Sequence, residues 1–570
     1  MQKEMSKEMR RNFHIDSFGE NVWFFAPEDD PAAVKKELDM LWEQQEANQF
    51  GDARYAVYFL PGKYDDLIQP RVGFYTQVSG LGRMPDDVSL CTVGCDARWL
   101  EAGDNHNATC NFWRGVENLS ARDTVTWAVS QATFMRRVHL EKNLYLHDSN
   151  GWCSGGFLSN SRIGQTVDSG SQQQWLSRNC DWNAWTGENW NIVFAGIAEG
   201  KVPEGTWPQH AYTDASVVKE IREKPFLVYD SEKGFGVCLP DVRTEATGAD
   251  WAPGAFISMS DFYIARSCTD TAGTINKALR AGKHLFLTPG IYQLEQPVQI
   301  EREGTIVLGT GLATLCSAGG SSCMEVADET RVTIAGILFD AGPEETEALL
   351  VVGNELKASL AETSRLPEHS KSLLADLFFR VGGAGEYDTD VRCCVKLYQD
   401  GIIGDNFWVW RADHGSGVGW NQNKAANGIL AAGNDITIYA LMVEHFQEYQ
   451  TVWEGENGKI VFYQCEIPYD VPDQKSWKSH KGSVNGFSSI KIADSVKSHE
   501  AWGLGIYLYN RDAEVELYSA MEAPEGTGEI RVHNICTVMI TGNPGMSHII
   551  NSAGDAVMHG GARAVLTEWY

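Results

Sequence analysis

A hexapeptide pattern occurs twice in this chain. Phe59-Leu60-Pro61-Gly62-Lys63-Tyr64 is followed by Gly80-Leu81-Gly82, and Leu287-Thr288-Pro289-Gly290-Ile291-Tyr292 by Gly309-Thr310-Gly311. The two prolines stand 228 positions apart, with Pro-to-Gly spacings of 19 and 20. A helix-like stretch precedes each copy, at 32–45 and 271–281. Repetition of this kind points to two related halves, and an internal repeat constrains the fold more than any local propensity.

A chain of 570 residues is too long for one compact core, so two domains or a long solenoid are expected. Both openings are followed by many short strand-like segments separated by Gly, Asn and Asp turns. Val332–Phe339, Ile402–Trp410, Ile436–Glu444, Lys459–Glu466 and Glu529–Ile540 are examples. Irregular repeats of roughly 20–30 residues suit stacked coils, each burying its apolar face against its neighbours. A solenoid end exposes strand edges and must be covered, and the helix before each repeated motif is placed to do so. The reading is all-β: two right-handed parallel β-helix (β-solenoid) domains in tandem, each with an N-terminal capping helix. The expected boundaries are a polar tail at 1–16, a first domain at 17–200, a linker and hairpin segment at 201–260, and a second domain at 261–570. In the linker, Phe226–Tyr229 and Gly236–Leu239 could pair as a hairpin. An insertion is expected at about 354–388, with a helix-like stretch Lys371–Phe379 inside it.

The formal net charge of −29 disfavours nucleic acid and anionic membrane surfaces as partners. No apolar run reaches the length of a membrane span, and the N-terminal residues lack a signal-peptide core. The 13 cysteines are odd in number and scattered, which fits reduced thiols. These features lead to the expectation of a cytoplasmic protein that requires no cofactor. Cys91 and Cys95 have no second pair of ligands, so no metal site is expected. The oligomeric state is left open.

The order helix, Pro-Gly-x-Tyr strand, Gly-x-Gly turn resembles the entry coil of pectate-lyase-like right-handed parallel β-helices. Two such entries in one chain resemble the double β-helix of glycoside hydrolase family 55, the exo-β-1,3-glucanases. Asn111–Arg114, Ser169–Asn179 and Trp410–Gly415 resemble a narrower set of bacterial and fungal proteins with uninformative labels, adenylyl cyclase among them. No nucleotide signature supports that label: Gly309-x-Gly311-x-x-Thr314 lacks the third glycine of a dinucleotide motif. The resemblance covers nearly the whole chain and implies a carbohydrate-active β-helix. The scaffold alone does not fix the reaction.

Acids and tryptophans concentrate at 405–502. Several strand-like segments end in a carboxylate: Asp340, Asp413, Glu444 and Glu466. If these segments are successive coils, their acids stack about 4.8 Å apart. Glycoside hydrolysis needs two carboxyl groups, one to protonate the leaving oxygen and one to activate water or attack. Stacked like charges keep one of them protonated near neutral pH. The candidate catalytic residues are Asp413, Glu444 and Glu466, with Asp405, Glu454 and Glu500 in reserve. Arg411, His414 and His445 are candidate donors to sugar hydroxyls. Trp408, Trp410, Trp453 and Trp502 are candidate walls, since flat apolar faces suit neutral sugars. Against each stands a structural role: acids at strand ends are commonly turn residues, and alternate tryptophans commonly fill a core. In the first half, Glu117, His147 and Ser169–Asn179 are either turn ladders or the far side of the same site.

The reading is a glycoside hydrolase for a neutral oligosaccharide, exo-acting and of β-glucan type. An intramolecular glycosyl- or fructosyl-transferase is the alternative. A polysaccharide lyase fits less well, since lyases need cationic side chains, and a non-catalytic binding protein is the remaining class.

Overall fold

The computed structural model describes residues 15–100, 105–252, 254–355, 371–526 and 529–570. Most of the expected polar tail therefore lies outside the described residues, as does much of the expected insertion.

Residues 22–214 build a 15-stranded sheet whose main path runs parallel from Val22–Phe25 to Tyr212–Asp214. Residues 262–569 build a 12-stranded and a 9-stranded sheet, parallel throughout except where Arg563–Trp569 closes the larger one antiparallel to Glu529–Thr541. Six consecutive rungs of that larger sheet matter here: β1 (Val332–Asp340), β2 (Ser372–Val381), β3 (Ile402–Arg411), β4 (Thr437–Glu444), β5 (Gly458–Glu466) and β6 (Ser498–Tyr509). Each bends once at a residue in the left-handed region: Gly336, Asp376, Asn406, Ala440, Phe462 and Gly503. The bends are in register, so they stack as a column and turn the sheet through a corner on every coil.

The doubled motif has one physical explanation in both places. Tyr64 Oη donates to the carbonyls of Phe25 and Leu60, and Tyr292 Oη to those of Ala265 and Thr288. Each tyrosine thus ties the first strand of its half to the second. A Cβ at Gly62 would lie 2.2 Å from the Pro27 ring, and one at Gly290 would lie 2.1 Å from Ser267 Oγ. The helices precede these strands as expected. Pro31–Gln45 starts on an Asp30 cap with proline at its first position and buries Val34, Leu38, Leu41 and Trp42. Ala272–Arg280 starts on a Thr271 capping box and buries Ile275 and Leu279.

Residues 226–230 and 234–239 form the expected hairpin, with Leu227 opposite Val237. The helix-like reading of Lys371–Phe379 is wrong. That stretch is β2, paired with β1 and β3 and buried along its whole length. An apolar run buried on both faces carries no strand alternation, which is why its period misleads. The rung also removes 372–381 from the supposed insertion.

The two halves lie side by side, and the two copies of the motif meet where they touch. Tyr58 bonds Thr310, and Gln77 Oε1 accepts from the Gly311 amide. An aromatic core of Phe112, Trp113, Trp408 and Trp410 fills one part of the seam. A chain of alternating buried charges crosses another. It runs Glu117–Lys224–Asp376–Arg136–Asp405–Arg178–Glu223, with contacts of 2.7 to 3.4 Å. Glu223 and Lys224 come from the stretch expected to be a linker, which is instead wedged into the seam.

Candidate active site

At the C-terminal ends of β4 and β5, Glu444 and Glu466 occupy adjacent rungs. Met442 pairs with Gln464 two residues earlier, and the His445 amide donates to the Glu466 carbonyl at 2.8 Å. Neighbouring rungs in this file carry Trp410 before Glu444 and Tyr507 after Glu466. The two carboxyl groups therefore face each other across one rung spacing, about 4.8 Å between chains.

Both acids hold protons unusually well. Burial and the repulsion of Glu466 push Glu444 well above the usual carboxylate range, against the easing effect of Trp408 and Gln464 beside it. Burial raises Glu466 to about 7, with the Tyr469 hydroxyl opposing that rise. No Lys or Arg among the described residues pairs with either acid. From the first half, Gln131 Nε2 donates to Glu444 Oε1 at 2.9 Å, and Ser154 Oγ donates to Gln131 Oε1 at 2.8 Å. Tyr469 Oη donates to Glu466 Oε2.

Asp413 sits in the loop after β3. Burial opposes its ionisation, but bonding to His414 and the nearby His445 outweigh burial and hold it at about 2. His414 Nδ1 is 2.8 Å from Asp413 Oδ1, and its Nε2 is 2.6 Å from the Gln49 amide of the first half. Burial works against a charge on His414, yet Asp413 and Cys110 raise it to about 10. His445 lies between the acids, its Nε2 3.9 Å from both Asp413 Oδ1 and Glu466 Oε2. Burial lowers it to about 4, so its ring is neutral at neutral pH.

The Pro468-Tyr469-Asp470 segment follows β5 directly beside the acids. Arg411 forks onto Asp470 at 2.9 and 2.7 Å and also donates to the carbonyls of Asn423, His445 and Gly419. Tyr469 packs edge-on against His445 at 4.4 Å and against Tyr509 at 4.8 Å.

This arrangement, a protonatable pair beside an ionised aspartate, suits acid–base work on a glycosidic bond. The LAM55 pectate lyase-like domain family matches residues 262–466, the segment that carries these acids. An exo-beta-1,3-glucanase of Streptomyces sp. (strain SirexAA-E / ActE) is 39% identical over 547 residues, spanning 94% of this chain and 87% of the relative. The chain belongs to glycoside hydrolase family 55. The solved structure of sacteLam55A from Streptomyces sp. SirexAA-E superimposes with a TM-score of 0.90 at 36% identity, covering 97% of this chain and 99% of that one. A glutamate-to-alanine variant of sacteLam55A in complex with glucose gives a TM-score of 0.91 at 37% identity, covering 97% and 98%. This family-55 chain is thus a glycoside hydrolase on a parallel β-helix scaffold.

Of the sequence candidates, the structure brings together Asp413, Glu444, Glu466, His414 and His445. The others fall elsewhere. Asp405 is fully buried between Arg136 and Arg178, on the near side of the β3 bend. Glu454 is exposed in the turn after Thr451–Trp453, a strand of the other sheet. Glu500 lies at the opposite end of β6, bonded to His533 at 3.0 Å. Trp408 and Trp410 stack on each other at 4.8 Å inside the seam, with 0% and 1% of their surface exposed, so they present no platform to a sugar. Trp453 is core, edge-on to His499, and Trp502 stacks on His533 far from the acids. Arg411 has its donors committed to Asp470 and backbone carbonyls and serves the loop, not a sugar. The sequence pattern does not mark Gln49, Gln131, Ser154 or Tyr469. Tyr469 was findable, three residues beyond Glu466. The other three come from the first half, hundreds of residues away, and no local pattern marks them.

Among the described residues no helix is long and apolar enough to cross a membrane. The 13 cysteines are all free.

Proposed function

We propose that the enzyme is an exo-acting β-1,3-glucanase in which Glu466 delivers the proton to the glycosidic oxygen. The carrying observation is the Glu444–Glu466 pair: a buried and a half-buried carboxyl group on adjacent rungs, with no Lys or Arg among the described residues paired to either. A proton donor works best when its pKa lies near the working pH, and Glu466 is held at about 7. It is also the more accessible of the two, its side chain 15% exposed against 3% for the whole of Glu444. Glu444 completes the pair, fixed by Gln131 and Ser154. Exo action draws support from the name of the Streptomyces relative. It also draws support from the way first-half residues Gln49, Ser154 and Gln131 close one side of the acids.

The test is incubation with a linear β-1,3-glucan, with products followed over time. Early release of a single small sugar, with slow loss of polymer length, is expected for the wild type and absent from Glu466→Gln. A random fall in chain length overturns exo action. A cyclic or transferred product in place of free sugar favours the transferase alternative.

A further inference from the structure

Glu466 does not stand alone in its loop. Oε2 accepts from Tyr469 Oη, and Oε1 lies 3.4 Å from Gln464 Nε2. Asp413, His414 and His445 face it from the loops after β3 and β4, and Glu444 faces it from β4. Of these neighbours, Tyr469 is the hydroxyl donor. It is half-buried, and its own ionisation is strongly disfavoured by desolvation and by Glu466 and Asp413. It therefore stays a donor across the working range.

The tyrosine is itself held from three sides. His445 and Tyr509 meet its ring edge-on, and the next residue, Asp470, is gripped by both Arg411 amino groups. Arg411 is 1% exposed, and burying a guanidinium requires compensation. Placing an ion pair in the wall of an active site, next to an aromatic that bonds one of its acids, has a use if the aromatic must not move.

We propose that Tyr469 is a positioning residue that orients Glu466 and stabilises its carboxylate form, and that the Arg411–Asp470 pair fixes Tyr469 in place. This rests on Glu466 as proton donor. As Glu466 gives its proton to the leaving oxygen, negative charge develops on the atom that Tyr469 Oη already faces. A donor pre-aimed at that charge strengthens as the transition state is approached. The hydrogen bond also lowers the proton affinity of an acid that burial alone drives upward, so Glu466 can release its proton at neutral pH.

The experiment is a pH–rate profile of Tyr469→Phe, with wild type and Glu466→Gln alongside. The ring and its packing are retained and only the hydroxyl is lost. The basic limb of kcat is expected to move to higher pH by roughly one unit, the size of one charge-assisted hydrogen bond. At the wild-type optimum kcat falls about tenfold while KM stays within about twofold, since Tyr469 acts through Glu466 and not on the sugar. Asp470→Asn should move the limb in the same direction by a smaller amount. An unmoved basic limb in Tyr469→Phe overturns the inference, whatever happens to the overall rate. If Glu466→Gln retains wild-type activity, the proton-donor reading itself has failed, and the two failures are distinguishable.

Discussion

Asp405 and Glu444 lie on adjacent rungs of one sheet, both buried, yet their surroundings are opposite. Asp405 takes hydrogen bonds from Arg136 and Arg178 at 2.7 to 3.0 Å. Glu444 takes one from a neutral glutamine and faces another glutamate. A buried carboxylate gripped by two guanidinium groups serves as a fastener. An uncompensated pair shares protons and is available for chemistry. Half a strand separates these outcomes: before the bend of its rung, Asp405 meets arginines of the first half, and after the bend Glu444 meets only the neutral Gln131 from it. Asp340 makes the same point within a single file, for it lies on the same stacked column as Glu444 but is gripped by Arg380 at 2.6 and 3.0 Å.

The largest expected effect follows from removing a member of the uncompensated pair. Glu466→Gln should lower kcat by about 10³-fold, the middle of the range for loss of a general acid, while thermal stability holds or rises because a buried repulsion is gone. Asp405→Asn should do the converse. It leaves two buried guanidinium groups short of their partner and should cost about 3–5 kcal/mol in denaturant unfolding. Any activity loss should appear only where the fold is lost. Equal destabilisation by both variants would break the distinction.

The pH dependence sharpens it further. The folded pKa of Glu466 is raised to about 7 from an ordinary value of 4.5. A raised carboxyl contributes stability that is present below pH 4.5 and lost as pH rises through 7. Asp413, lowered to about 2 from 3.8, contributes stability that is present above pH 3.8 and lost as pH falls toward 2. Unfolding scans of wild type minus Glu466→Gln should therefore show a slope confined to the window from 4.5 to 7. A flat difference would mean that the fold does not raise Glu466.

Gln131→Ala comes next. It removes the first-half contact to Glu444 and leaves the second-half acids in place. A loss of about 10- to 100-fold in kcat/KM, or about 1.4–2.7 kcal/mol, with little change in melting temperature, would show that the first half takes part in the site.

The sequence carried the architecture well because the coils repeat. The Pro-Gly-x-Tyr motif marks a tyrosine that ties two strands at each entry, and that job recurs wherever a β-helix begins. The acids at the ends of β4 and β5 were readable for the same reason: each strand ends in its carboxylate, and the parallel register puts the two last residues in one file. What the strand arithmetic could not supply was the second half of each environment. Trp408 and Trp410 read as sugar platforms until Phe112 and Trp113 cover them. Asp405 reads as a candidate acid until Arg136 and Arg178 reach it from positions more than two hundred residues earlier. Charge compensation across a seam has no local signature. The run 372–379 misled for a related reason, since a strand buried on both faces loses its alternation.

The smallest effects are expected where acids are neither compensated within the seam nor paired in the file. Glu454 is exposed, and Glu500 is half-buried against His533. Partly exposed pairs of this kind are worth about 0–1 kcal/mol. Glu454→Gln and Glu500→Gln should leave kcat/KM within about twofold and stability within about 1 kcal/mol of wild type. Glu500 is the stricter control. It sits on β6, the rung that follows Glu466, and differs from the catalytic file mainly in lying at the other end of its strand. A large loss of activity in Glu500→Gln with an intact fold would mean that position along the rung does not decide which carboxylates do chemistry, and the contrast between the seam and the file would need another cause.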